Sequence, residues 1–94
     1  MVRHIVFMKF PDFSLAQIAK EKLLSMKDNI EVLQDIEVGI DFSRSERSYD
    51  LALVTTFASK EDLEAYRIHP YHQNEIVAWL KKQGTETKVV DYEI

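Results

Sequence analysis

Apolar residues fill both alternating faces of the segment from Val2 to Phe10: Val2, Val6, Met8 and Phe10 on one, Ile5 and Phe7 on the other. This is the pattern of a strand covered on both sides. Pro11 and Asp12 end it, and Ser14-Leu15-Ala16-Gln17 reads as a capping box, the serine bonding the third helical N–H and the glutamine reaching back. The helix predicted to follow buries Leu15, Ile18, Ala19, Leu23, Met26 and Ile30 and leaves Lys20, Glu21 and Lys27 in water. Next, Ile36, Val38, Ile40 and Phe42 alternate with Glu37, Gly39, Asp41 and Ser43, predicting a strand with one apolar face and a bulge at Gly39. The polar run Ser43 to Ser48 is a hairpin tip, and Tyr49 to Phe57 is a third strand, with Leu51, Leu53 and Phe57 against Ala52 and Val54. Ser59 caps a short helix with Glu61 and Asp62 in its first turn, carrying Leu63, Tyr66 and Ile68. Pro70 separates it from a third helix that buries Gln73, Ile76, Val77 and Leu80, with Trp79 flanking, and ends at a left-handed Gly84. Thr85 to Ile94 is the last strand.

The order is βαββααβ, the plan of a ferredoxin-like α+β domain with an antiparallel four-stranded sheet and its second helix broken in two. Residues 1–94 are expected to form one domain. Such a sheet carries helices on one face only, yet at least two strands are apolar on both. The open face is therefore expected to pack on the same face of a second copy, giving a homodimer.

Composition removes several functions. Twelve basic residues are scattered among sixteen acidic ones, for a net charge of -4, so no positive stripe is available for nucleic acid. Without cysteine there are no disulfides, thiolate nucleophiles or thiolate metal sites, which fits a cytoplasmic protein. The run Val2 to Phe10 is too short to cross a bilayer and is interrupted by Arg3, His4 and Lys9, so no membrane partner is expected.

Chemistry concentrates in Tyr66-Arg67-Ile68-His69-Pro70-Tyr71-His72, which holds two of the three histidines and two of the four tyrosines. Proline suits the first position of a helix, which puts His72 in the first turn, where the positive end of the helix dipole favours neutral imidazole. Tyrosine and neutral histidine form an acid/base pair. Each residue also has a structural reading: His72 bonding a backbone group at a helix start, Tyr66 burying its ring, His69 ending a helix, and His4 satisfied in the core. The spacing of His69, His72 and Glu75 invites a metal, but Pro70 disturbs the helix that would align them, so no metal site is assigned. Phosphate loops, dinucleotide fingerprints and a Ser-His-Asp order are absent.

Three segments carry a family resemblance: Arg3-His4-Ile5-Val6-Phe7-Met8-Lys9-Phe10, the strand Tyr49 to Phe57, and Tyr66 to His72, with Val89-Val90-Asp91-Tyr92 at the end. The chain resembles the stress-responsive α/β-barrel (Dabb) domains over essentially its whole length. The resemblance implies a homodimer in which two ferredoxin-like sheets meet as a barrel with helices outside. A similar plant branch comprises cofactor-free polyketide cyclases, and that likeness implies Tyr66 and His72 as acid/base partners. It further implies a substrate pocket with His4, Val6 and Met8, with Leu51 and Leu53 of the third strand, and with His69. Leu51 stands where that branch carries a pocket histidine, so the pocket is expected to be kept and that branch's particular cyclisation is not.

Three functions compete. The first is a cofactor-independent cyclase- or lyase-like enzyme acting on a hydrophobic carbonyl or polyketide-like compound. The second is a non-catalytic, stress-related dimer that binds a small hydrophobic ligand. The third, by a poorer likeness, is a monooxygenase or haem-degrading barrel.

Overall fold

The computed structural model describes all residues, 1–94. Four strands, β1 (Val2–Lys9), β2 (Asp35–Ile40), β3 (Leu51–Phe57) and β4 (Glu86–Glu93), form one sheet in the order β2-β3-β1-β4. Every neighbouring pair is antiparallel, and β1 lies between β3 and β4, so His4 faces Thr55 on one side and Asp91 on the other. Helices α1 (Leu15–Leu24), α2 (Lys60–Ile68) and α3 (Ala78–Lys82) occupy one face, as the ferredoxin-like plan requires. The core sits between them and the inward residues of β1 and β3, including Val6, Met8, Leu51, Leu53 and Phe57.

The helices depart from expectation in instructive ways. Ser14 has helical dihedrals and no side-chain cap bond, so the capping box does not form. Instead the Asp12 carboxylate accepts the Ser14 N–H at 2.9 Å, a bond that also holds the Asp12 pKa below its ordinary value. The buried stripe of α1 is Ala16, Ala19 and Leu23, continued by Met26 in a 3-10 turn (Ser25–Asp28) and by Ile30. Small alanines let the helix lie close to the sheet, and Ile18 turns outward at 48% exposure.

Ser59 does cap α2, its hydroxyl accepting the Asp62 N–H at 3.1 Å, but Ile68 at the far end of that helix is exposed. The chain turns helical again at Pro70 and passes through a π-helical turn (His72–Val77), with the Ala78 N–H reaching back to the Gln73 carbonyl, before α3. Gln73 is consequently exposed, and its amide bonds the Arg67 carbonyl in place of entering the core. Helix α3 ends in a Schellman motif: Gly84 at φ 72°, Thr85 N–H to Leu80 O at 3.1 Å and Gly84 N–H to Lys81 O at 3.0 Å.

Strand β2 stops at Ile40, and Gly39 pairs with Ala52 in unbroken register, so there is no bulge. Phe42 falls in the loop and is 94% exposed. A buried carboxylate fixes that loop: Asp50 accepts the Phe10 N–H at 2.7 Å and the Arg44 guanidinium at 2.8 Å. No helix is long and apolar enough to cross a membrane.

Candidate functional site

Between the sheet and the α2–α3 segment lies a cavity of about 340 Å³, with His4, Val6 and Met8 of β1, Leu53 of β3, Tyr66 and His72 in its wall. Period two along β1 puts the first three on one face, and the split helix lays Tyr66 and His72 over them. The Tyr66 and His72 rings meet at 4.3 Å between centroids, and His4 meets Tyr66 edge-on at 5.9 Å.

Two of the sequence-expected pocket residues lie elsewhere. Leu51 is packed in the core opposite Met8 and is outside the cavity wall. His69 is also outside: its Nδ1 accepts the Tyr71 N–H at 3.1 Å and its Nε2 sits 3.4 Å from Glu31 on the outer surface. That N–H bond is local to the turn at Pro70, which holds His69 as the end of α2. His69, His72 and Glu75 do not converge, and no group of three or more His, Cys, Asp or Glu is placed to hold a metal.

The protonation of the pair follows from its surroundings. Tyr66 is 1% exposed, and burial pushes its pKa well above the ordinary tyrosine value, so the phenol stays protonated. Its hydroxyl has one protein neighbour, Met26 Sδ at 3.6 Å, a weak acceptor. His72 shifts the other way: burial foremost lowers its pKa below 6.5 against the opposing hydrogen bond to the Arg67 backbone, and the charges of His4, Arg67 and His69 lower it further. The Arg67 carbonyl, 3.1 Å from Nδ1, accepts the ring N–H, which assigns the neutral tautomer and leaves Nε2 as the basic atom. Pro70 opens a helical run that continues to Lys82, with the Gln73 N–H on the His69 carbonyl at 3.0 Å, so His72 does sit in its first turn, and burial is the foremost cause of its lowered pKa.

A residue to which the sequence analysis gave no role completes the arrangement. Asp91 on β4 accepts a hydrogen bond from His4 Nδ1 through one carboxylate oxygen and from Arg67 at 2.9 Å through the other. The carboxylate fixes the His4 tautomer and leaves Nε2 without a protein partner. Only the β1–β4 register could have revealed this, because the two residues stand 87 positions apart.

Known structures share this architecture. A dimeric protein of unknown function with a ferredoxin-like fold from Bacteroides fragilis is 29% identical, with a TM-score of 0.85 over 99% of this chain and 95% of that one. A dimeric ferredoxin-like protein of unknown function from Thermobifida fusca is 21% identical, with a TM-score of 0.83 over 99% of this chain and 90% of that one. The hydroxynitrile lyase of Passiflora edulis has the same fold at 17% identity, with a TM-score of 0.81 over 99% of this chain and 92% of that one. No curated protein sequence matches the chain. The sequence profile of the stress-responsive A/B barrel domain matches residues 2–94, and the chain therefore belongs to the Dabb family.

Proposed function

We propose that this Dabb domain is a cofactor-independent acid/base enzyme, cyclase- or lyase-like, acting on a hydrophobic carbonyl compound. The observation that carries the reading is one cavity in which a neutral histidine and a protonated tyrosine stand 4.3 Å apart between ring centroids. His72 Nε2 takes a proton from the carbon beside the carbonyl, and the electron pair of the broken C–H bond moves to the carbonyl oxygen as an enolate. Tyr66 donates its O–H to that oxygen. The enolate carbon then attacks a second carbonyl carbon of the same molecule, and the imidazolium returns its proton to the new alkoxide. His4, held by Asp91, offers a further polar contact, and Val6, Met8 and Leu53 receive the apolar body of the substrate.

The active unit in this reading is a homodimer joined through the open sheet face, supported by the dimeric state of the Bacteroides and Thermobifida relatives. Ile5, Phe7, Val54 and Val90 share that face. A lyase with the same fold supports acid/base chemistry on this scaffold. One observation favours the second reading, ligand binding without turnover: the Tyr66 hydroxyl is already against Met26 Sδ. The deciding experiment is a screen of carbonyl and polyketide-like compounds against wild type and His72→Ala. Turnover should fall by roughly 10²–10⁴-fold in the variant. Turnover that survives the substitution excludes His72 as the base.

A further inference from the structure

The end of the cavity away from His72 is lined by polar residues. Lys81 and Thr85 form it together with Thr87, which pairs with Met8 across β1 and β4. Lys81 is exposed and makes no ion pair, as is true of every lysine but Lys60; what sets it apart is its place in the cavity wall. The Thr85 hydroxyl oxygen is buried without a hydrogen-bond partner, a cost that rotation of this wall side chain toward a ligand in the cavity would relieve. The backbone position is fixed, because Thr85 is the closing residue of the Schellman motif. The wall contains no carboxylate at all, and Lys81 is its one permanently charged residue. In a protein with a net charge of -4, an acid-free pocket with an unpaired lysine at its end is selective for negative charge.

The length between the two ends can be read twice. His4 to Met8 along β1 is four residues, roughly 13 Å at the rise of a strand. His72 to Lys81 along the helical segment is nine residues, about 13 Å at the helical rise. Both elements run from the proton-transfer end to the polar end, and between them the wall is apolar: Val6, Leu53, Ile76 and Leu80.

We infer that the cavity takes an amphiphilic carboxylate, its anionic head on Lys81 and Thr85 and its apolar chain running toward Tyr66 and His72. This deepens the proposed function and rests on its assignment of the cavity as the substrate site. The substrate is then an oxo-acid whose reacting carbonyl lies at the end of the chain away from the carboxylate. Lys81 and Thr85 bind the head and take no part in proton transfer.

Calorimetric titration of the intact protein with decanoate, methyl decanoate and decanol tests the inference, since none of these has a ketone and none depends on the chemistry of His72. Decanoate should bind about tenfold tighter than its methyl ester, the worth of a charge-assisted hydrogen bond. Lys81→Met should bring the two affinities together, and Thr85→Val should weaken decanoate alone. His72→Ala should keep the preference for carboxylate. Equal affinity for acid and ester, a preference that survives Lys81→Met, or no binding by any of the three overturns the inference. If the preference stands while the carbonyl screen finds no turnover, the ligand class holds and the acid/base reading is what fails.

Discussion

At the scale of residues, the candidate site consists of groups whose protonation is set by where they are buried. His72 has a pKa lowered from 6.5, so the folded protein takes up its proton less readily than the unfolded chain does. The sign follows: stability is full above about 6.5 and falls as pH drops from there toward the lower folded value. Melting temperature should decline over that window, and His72→Asn should remove this share of the decline. The acid limb of any pH–rate profile should likewise lie below 6.5, and a limb above it would contradict the neutral-base assignment. Tyr66→Phe separates chemistry from packing. The lost hydroxyl has a weak acceptor, the Met26 sulfur, as its protein hydrogen-bond partner, so stability should change by less than about 1 kcal/mol while turnover drops by about 10² or more. The Tyr66–His72 pair is legible in sequence because both residues sit in one short window around Pro70. Asp91 is not, since its meeting with His4 depends on the β1–β4 register.

Elements obey local chemistry where their ends are local, and tertiary contacts elsewhere. The Ser59 cap and the Gly84 stop are both readable from composition, and both form. Gly84→Ala would meet only an ordinary contact with Pro11 at 3.5 Å, so its expected cost of about 1 kcal/mol comes from the positive φ, and thermal denaturation should show it. The Ser14 capping box does not form, because Asp12 takes the Ser14 N–H first. Helical spacing in α1 fits two neighbouring stripes, and the sheet selects the alanine one, which turns Ile18 outward. The β2–β3 loop depends on Asp50, at 2% exposure, which joins the end of β1 to Arg44. Asp50→Ala leaves a buried N–H unpaired and should cost about 1–3 kcal/mol. A Tm shift of roughly 4–8 °C for each kcal/mol is the readout, and an unchanged Tm would mean the loop is held by other contacts.

The whole molecule is half covered. Only 21 of 94 residues are buried, every residue of β4 is exposed, and Phe7 and Val90 of the open face are 44% and 56% exposed. A sheet this apolar on its outer side is the surface expected of a subunit interface. On the proposed homodimer, Val90→Glu should leave the protein monomeric at micromolar concentration where the wild type sediments as a dimer, and an unchanged mass would exclude this face as the interface. Periodicity and capping residues sufficed for the βαββααβ order, the two-sided strands and the Tyr66 to His72 cluster, because each depends on residues near one another in the chain. The tertiary structure alone decided that Asp91 orients His4, that Leu51 and His69 stay out of the cavity wall, that a π-helical turn carries His72, and that Lys81 and Thr85 face the same cavity. Those outcomes depend on strand register and on how a helix is rotated against the sheet, and both are set by packing between segments far apart in sequence.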